Sequence, residues 1–402
     1  MADIFIKIII VAFFMVGKEA IGKGKKREHV EAIERKKATL NETIQSLEEE
    51  IANTKYNKRT QHAIGLMKAK LAMLKQRAEQ RISAGKGRGE EYSIRKTGDG
   101  TVVILGFPSV GKSTLLNALT NSKSDVGAYD FTTLRAVPGV LKYKFAKIQI
   151  IDVPGIVSGA ASGRGRGKEV LGVLRSADLI LILIDALNPQ HYNAILKEVY
   201  ESGIRINSVK PYIKIMKKER GGVNVGTTVK LTKLDINTIK DIAREMRINN
   251  ADILFRSDVS ADEFIDVIEG NKKYVKSLVV VNKIDLIDYN RLREIKDMIK
   301  PDVLVSGELG TGIEELKEVV YTKMNFIRVF LKEVNKQPDM EEPLIMFKGC
   351  NIKDVCLKLH KDFVEKFKYA RVWGKSAKFD GQVFRRLDKV LEDSDILEIH
   401  IK

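Results

Sequence analysis

Cysteine is nearly absent from this 402-residue chain: only Cys350 and Cys356 occur, and no histidine cluster lies near them. A disulfide framework and a zinc site both lack their ligands, and a reducing cytoplasm is the expected compartment. The five histidines (His29, His62, His191, His360, His400) are scattered, so no structural metal is expected. Proline is scarce at 8 residues, while 44% of the chain is apolar and 31% charged, which excludes a disordered polymer. Long apolar runs are missing as well. Ile4 to Val16, broken by Lys7, has about half the length a bilayer requires. Gly17-Lys18-Glu19-Ala20 then leads into basic sequence rather than to a cleavage site. No membrane partner is expected. Residues 1–27 read as an extension or as a start assigned too early, with Met15 as the alternative first residue.

What the chain does have is length and positive charge. A chain of 402 residues exceeds one ordinary core and points to roughly two to four modules. Seventy Lys and Arg against 53 Asp and Glu leave +17, which favours a polyanion such as RNA through counterion release. A generally lysine-rich proteome would produce the same balance. Residues 18–96 hold 20 basic and 11 acidic side chains. Within 28–95, Ile33, Leu40, Ile44, Leu47 and Ile51, then Leu66, Leu71 and Leu74, fall near helical spacing around the polar stretch Asn53 to Thr60. This predicts an antiparallel helical hairpin, either merely solvated or a surface for RNA or a protein.

Beyond the glycine-rich hinge Gly85 to Gly89, four apolar runs (Thr101 to Leu105, Lys147 to Ile151, Leu179 to Ile184, Leu278 to Val281) each lead into a polar motif. Buried parallel strands with ligand groups at their carboxyl ends, hence a doubly wound α/β sheet, are the expectation. The gap between the last two runs predicts a small α+β insertion at about 205–256. It would comprise a β-hairpin (Tyr212 to Lys217 and Val223 to Lys230 around Gly221-Gly222) and an amphipathic helix near Ile236 to Met246. A helix is expected from Val319 to about Lys332, and Pro338 to Pro343 as a linker into a compact final unit. There Lys366 to Phe379 interleaves aromatic and basic residues, a pattern that serves core packing more often than RNA stacking.

Gly106-Phe107-Pro108-Ser109-Val110-Gly111-Lys112-Ser113 matches a phosphate-binding loop, follows a predicted strand and opens the helical run Thr114 to Leu119. Glycines at both ends let backbone amides turn onto phosphates, Lys112 brings a cation, and Ser113 offers its hydroxyl to Mg²⁺. Asp152-Val153-Pro154-Gly155 follows the next strand. Asp152 can hold Mg²⁺ through water, and the Gly155 amide can bond a γ-phosphate. Between them, in Phe131-Thr132-Thr133-Leu134, Thr133 is the candidate Mg²⁺ ligand and first switch. Asn282-Lys283-Ile284-Asp285 then selects guanine. The Asp285 carboxylate can accept both N1–H and N2–H₂, a donor pair adenine lacks. Lys283 would lie along the base, Asn282 would brace the loop, and Ser306-Gly307-Glu308 would offer amides to guanine O6. GTP and GDP are therefore the expected ligands.

With those motifs stand longer strings: NTKYNKRTQHAIGLMKAKLAMLKQR, GFPSVGKSTLLNALT, YDFTTLRAVPGVL, DVPGIVSGAASGRGRGKEVL, REMRINNADILFR, DEFIDVIEGNKKYV and DFVEKFKYARVWGKSAKFDGQ. From about Glu48 to Lys402 the chain resembles the DRG (developmentally regulated GTP-binding protein) family of Obg-type translation-factor-like GTPases. The resemblance implies a Ras-like P-loop G domain at 96–325 carrying a ribosomal-protein-like insertion. It also implies a helix-turn-helix arm at 28–95 and a β-grasp TGS domain at 326–402. It further implies ribosome association and, in eukaryotic relatives, a dedicated protein partner. By the family pattern Ser113 and Thr133 carry over as Mg²⁺ ligands, Lys112 as the phosphate lysine, and Asn282, Lys283 and Asp285 as guanine readers. Gly307 stands where alanine is usual.

Ile156 occupies the position where many Ras-like switches carry the glutamine that orients water, so slow intrinsic GTP hydrolysis is expected, with Lys112, Thr133 and Gly155 as the catalytic candidates. Potassium is a second cofactor to test, weakened by Ser109 at the place of the asparagine that binds it elsewhere. Gly159 to Gly167 reads as a second switch, or as a flexible loop, with Arg164 and Arg166 as phosphate candidates. A metabolic P-loop kinase would have no use for Asn282 to Asp285. An RNA-binding scaffold with a decayed site would have no reason to keep Lys112, Ser113, Asp152 and Asp285 together.

Overall fold

The computed structural model describes residues 40–55, 57–83, 97–120, 137–153 and 167–401. It forms two compact units, one drawn from Met1–Glu90 with Lys210–Lys272 and the other from Glu91–Val209 with Lys273–Lys402. Thr133, Gly155, Ile156, Arg164, Arg166, the hinge at 85–89 and the 1–27 segment lie outside the described residues.

The first unit opens with two helices, α1 (residues 40–53) and α2 (Gln61–Ser83). In the turn between them the Asn57 side-chain oxygen accepts from the amides of Arg59 (2.9 Å) and Thr60 (3.0 Å), a local bond that competes with helix and reverses the chain. Lys75 on α2 reaches Glu48 on α1 at 2.6 Å.

The second unit begins with β1 (Gly100–Leu105), α3 (Lys112–Thr120), β2 (Val137–Tyr143), β3 (Ala146–Asp152), α4 (Gly167–Ser176), β4 (Leu179–Asp185), α5 (His191–Glu201) and β5 (Ile204–Ile206). The chain then returns to the first unit for β6 (Ile213–Lys217), β7 (Val223–Thr227), α6 (Ile236–Glu245), β8 (Ala251–Phe255) and α7 (Ala261–Glu269). It resumes the second with β9 (Lys273–Asn282), a single 3₁₀ turn (Ile284–Leu286), α8 (Tyr289–Ile299), β10 (Val303–Leu304) and α9 (Ile313–Met324). In the main sheet the order is β10-β9-β4-β1-β3-β2, with β5 paired to the start of β9. β2 runs antiparallel to β3 and the other pairs are parallel. Every residue of β1 and β4 is buried, because helices cover both faces. Leu174, Ile195 and Ile295 of α4, α5 and α8 fill one layer. Leu115 and Leu119 of α3 with Leu316 and Val320 of α9 fill the other. Continuous apolar strands are what such a doubly covered parallel sheet demands, each fully buried Leu or Ile contributing roughly 2 kcal/mol.

The inserted strands do not form the expected hairpin. Their order is β6-β8-β7, with β6 antiparallel and β7 parallel to β8. β8 takes the centre because Ala251, Ile253 and Phe255 are fully buried there, whereas the flanking strands alternate with exposed polar residues. The inserted segment also runs further than 205–256: Phe264 and Ile265 of α7 share the core of Ile239, Ile242 and Phe255. Ala69 of α2 belongs to the same core. Lys68 pairs with Asp262 at 2.6 Å and His62 with Asp241 at 3.0 Å. The arm and the insertion are thus one folding unit assembled from distant sequence.

The chain closes with β11 (Phe326–Leu331), β12 (Leu344–Phe347), α10 (Ile352–Leu359), α11 (Lys361–Glu365), β13 (Phe367–Trp373), β14 (Gln382–Phe384) and β15 (Asp395–Ile401), in the order β12-β11-β15-β13-β14. The helix expected to reach Lys332 stops at Met324. Asn325 caps it in the left-handed conformation (φ 54°), and the alternating Ile327 and Val329 go into the terminal core as a strand. Pro338 to Pro343 is consequently a loop between β11 and β12, not a linker ahead of the domain. On β13, Ala370 and Val372 point into the core, while Tyr369 stacks on His400 at 4.2 Å. The terminal domain meets the G core through Lys358 and Asp99 (2.6 Å) and through the Phe326 ring, tilted at 55° against Tyr321 with centroids 5.7 Å apart.

Candidate functional site

At the carboxyl ends of β1, β3, β4 and β9 the sheet ends in Gly106, Asp152, Asp185 and Asn282. β1 has β4 on one side and β3 on the other, so this is the edge where crossovers diverge and a doubly wound sheet leaves a crevice. Gly106 has no room for a side chain: a Cβ would stand 2.7 Å from the Leu183 carbonyl and 2.8 Å from Val110. Ser109 (φ 61°) and Gly111 (φ 90°) both adopt the left-handed conformation, which curls the backbone of the loop before Lys112 opens α3. A Cβ on Gly111 would meet the Asn282 amide nitrogen at 2.5 Å. Phe107 stacks on His191 at 4.2 Å, fixing the outer wall together with the exposed Pro108, and Thr114 continues the helix.

Lys112 is buried, and its ammonium donates to the carbonyls of Gly106 (3.3 Å) and Phe107 (3.1 Å). Burial lowers its pKa from the ordinary value, and Asp152 opposes that shift. Asp152 is buried too. Burial raises its carboxyl pKa against a hydrogen bond from Ser113 and the charge of Lys112. The Ser113 hydroxyl donates to Asp152 Oδ2 at 2.9 Å. Asp152 Oδ1 is buried with no hydrogen-bond partner among the described residues. A buried unpartnered carboxylate oxygen beside a serine hydroxyl is a hard-oxygen donor set suited to Mg²⁺ or to its bound water.

Asn282 ties two loops together: its amide nitrogen donates to the Val110 carbonyl (2.9 Å) and its oxygen accepts from the Gly307 amide (3.0 Å). Lys283 (φ 65°) donates to the Ser109 carbonyl and to Asp185, both at 2.8 Å. Asp285 lies exposed on the 3₁₀ turn, where its carboxylate is free to accept from a base edge. Ser306 is buried and its hydroxyl accepts from the Leu309 amide at 3.1 Å, shaping the loop that presents Gly307. At Gly307 an added Cβ would find Asn282 Oδ1 at 3.5 Å and Thr114 at 3.6 Å, ordinary contacts.

Gly106 to Thr114, Asp152, Asn282, Lys283, Ser306 and Gly307 therefore gather at one sheet edge, with Asp285 on its rim; Thr133 and Gly155 are outside the described residues. Asp185 was not singled out from the sequence. Its signal was present: a lone carboxylate ending the wholly apolar run LILILI. It accepts from Lys283 and, through Oδ1, from the Leu187 amide at 2.9 Å, and so orients the lysine. Among the described residues no helix is long and apolar enough to cross a membrane, and no cluster of three or more His, Cys, Asp or Glu side chains could hold a metal.

Three family models cover most of the chain: 50S ribosome-binding GTPase at residues 101–218, C-terminal region of MMR_HSR1 domain at 220–326, and TGS domain at 327–401. An uncharacterized GTP-binding protein of Methanocaldococcus jannaschii is 54% identical over 367 residues, 90% of this chain and 93% of that one. Developmentally-regulated G-protein 3 of Arabidopsis thaliana is 42% identical, covering 90% and 99%. Developmentally-regulated GTP-binding protein 1 of Xenopus laevis is 42% identical, covering 89% and 97%.

Proposed function

Because the chain belongs to the developmentally regulated GTP-binding protein family, a GTPase family with a C-terminal TGS domain, we propose that it is a Mg²⁺-dependent GTP-hydrolysing switch that acts on ribosomes or translation-associated RNA. The observation that carries the metal-dependent switch is Asp152, with one carboxylate oxygen on the Ser113 hydroxyl and the other buried without a partner. Ser113 and Asp152 would hold the metal, joined by Thr133 from the first switch. When bound, Mg²⁺ neutralises charge on the β- and γ-phosphate oxygens.

The protein's own groups do the rest. The curled backbone of Gly106 to Gly111 directs amides at the phosphates, and Lys112 brings its charge to the β–γ bridge, where electrons collect as the bond to the γ-phosphoryl group breaks. Asp285 reads the guanine edge. Asn282 holds the phosphate loop and the Gly307 loop in register, and Asp185 keeps Lys283 in place. Ile156 has no group with which to orient the attacking water. Intrinsic turnover is therefore slow, and another group of the protein or a partner supplies that function. Potassium remains a testable accelerator; equal rates in KCl and NaCl at matched ionic strength eliminate it.

The test of the switch is co-sedimentation with ribosomes from the same source in GDP, in a non-hydrolysable GTP analogue with Mg²⁺, and in the analogue with EDTA. Binding is expected in the Mg²⁺-analogue state and retained at moderate salt. Binding that ignores nucleotide and vanishes with salt would reduce the interaction to the +17 charge and overturn the reading. Cytoplasmic location and any dedicated protein partner belong to the same proposal; affinity capture from soluble extract checks both.

A further inference from the structure

Among the described residues, the inserted sheet is covered on one face only. Ile213, Ile215, Val223, Val225, Ala251, Ile253 and Phe255 turn toward α6, α7 and Ala69 of α2. Strand alternation sends the intervening residues to the other side. The register aligns them in rows: Lys214 with Leu254 and Gly226, and Met216 with Asp252 and Asn224. One step beyond the strand, Tyr212 lies beside Arg256, whose guanidinium sits 4.9 Å from the ring centre and donates to the phenol oxygen at 2.8 Å. Tyr212 is 59% exposed and Met216 43%.

This outward face is basic. Strand alternation puts Lys214 and Arg256 on it, and the segment 210–233 that supplies β6 and β7 contains seven Lys and Arg and one acid, Glu219. Lys214 and Arg220 form no ion pair with any described residue, while the acid on the face, Asp252, is paired with Lys218 and accepts a hydrogen bond from the Asn224 amide at 3.2 Å. The face is also flat. At Gly226 a Cβ would touch only Leu254 Cδ1, at 3.4 Å, and the glycine φ is not left-handed. Neither packing nor backbone geometry calls for glycine there; its missing side chain leaves Leu254 partly exposed. From Tyr212 to Lys218 the surface extends about 20 Å at strand spacing.

We infer that this open sheet face is an RNA-contact surface that takes single-stranded RNA, with the backbone phosphates on Lys214, Arg220 and Arg256 and a base stacked on Tyr212. The chemistry is that of a stacking platform set in a positive groove. A protein partner would instead favour a larger apolar centre with charge kept to the rim. The inference deepens the ribosomal reading and rests on it, naming the surface that would make contact.

The test titrates a labelled single-stranded RNA into the full-length protein across a salt series and repeats ribosome co-sedimentation. Three variants are compared: Lys214→Glu/Arg256→Glu on the face, Tyr212→Ala, and Lys197→Glu/Arg244→Glu. The last makes the same charge change on exposed helix positions. GTP hydrolysis serves as the fold check. The face double variant is expected to lose at least about tenfold in RNA affinity, with a salt dependence shallower by about 1.4 in log–log slope for two lost phosphate contacts. Tyr212→Ala is expected to lose about tenfold with the slope unchanged. The helix-side control is expected to retain most of its affinity. Equal losses in both double variants would overturn the proposal, because only net charge would be at work. Intact RNA binding with ribosome binding lost would overturn it in favour of a protein occupant. A wild-type protein that never sediments with ribosomes, while the variants still discriminate on free RNA, would defeat the ribosomal reading and leave the surface standing.

Discussion

Two glycines at the candidate site differ sharply in what they tolerate. Gly111 combines φ 90° with the Asn282 amide nitrogen 2.5 Å from any Cβ, so Gly111→Ala must both strain the backbone and break the bond joining Asn282 to Val110. Its expected outcome is loss of detectable GTP binding by calorimetry. Gly307→Ala meets only contacts of 3.5 Å and more, and should stay within about 0.5 kcal/mol of wild type in stability, with GTP affinity retained. Asp285 allows a sharper check on base reading. Asp285→Asn replaces an acceptor by a donor facing the guanine amino group, so GTP affinity should fall on the order of a hundredfold or more. Xanthosine triphosphate, which carries a carbonyl there, should bind better than GTP in competition. An unchanged preference for GTP would remove Asp285 from the base site.

Between elements, the Arg328–Asp393 pair joins β11 to the turn before β15. Asp393 accepts from the Arg328 amide at 2.8 Å and from its guanidinium at 2.7 Å, and the Ser394 amide donates back to the Arg328 carbonyl at 2.8 Å. The Arg328 side-chain hydrogen bond holds the Asp393 carboxyl at about 2, below its ordinary 3.8. A depressed carboxylate pKa stabilises the folded state fully above 3.8, and that contribution disappears as pH falls through about 2. Both side chains are more than 40% exposed, so the effect is modest, under about 1 kcal/mol. Melting temperatures of wild type and Asp393→Asn should differ at pH 7 and converge toward pH 2. A second interelement clamp sits at the β2–β3 tip, where Tyr143 (2.7 Å) and Lys144 (2.6 Å) both reach Glu318 of α9. It ties the β2–β3 hairpin to the helix that leads into the terminal domain.

For the whole molecule, the notable association is between the N-terminal arm and the insertion. A Cβ on Gly65 would stand 3.2 Å from Thr238 and 3.3 Å from Ile242, so the two surfaces approach as closely as glycine allows. Gly65→Leu should push α2 off α6 while leaving the G core untouched. Limited proteolysis is expected to cut that variant faster within residues 210–272, with GTP binding unchanged. Equal protection would mean that the arm contributes nothing to the insertion. The +17 charge acts at this scale too, as a salt-dependent attraction for any polyanion, which is why the ribosome and RNA tests include salt series and charge-matched controls.

By itself, the amino-acid sequence determined where the candidate chemistry lies: a phosphate-loop motif, an aspartate proposed for the metal side and a turn proposed to read guanine, each a short run placed directly after an apolar strand. Such runs are legible because the strand, the loop and the ligand groups are contiguous, and the parallel sheet brings their carboxyl ends to one edge. Tertiary structure alone decided the rest. Asp185 matters through Lys283, 98 positions away. β8 separates β6 from β7 because burying Ile253 and Phe255 at the centre outweighs the local turn at Gly221-Gly222. The strand at Phe326–Leu331 overrode a helix because its partners, β12 and β15, lie downstream. The arm's contact with the insertion centres on Gly65 and Ala69, residues too small to produce a strong apolar stripe, and the α6 partners of Gly65, Thr238 and Ile242, lie more than 170 residues further on. Contacts of that separation leave no periodicity in the sequence, since each side is only half of a surface.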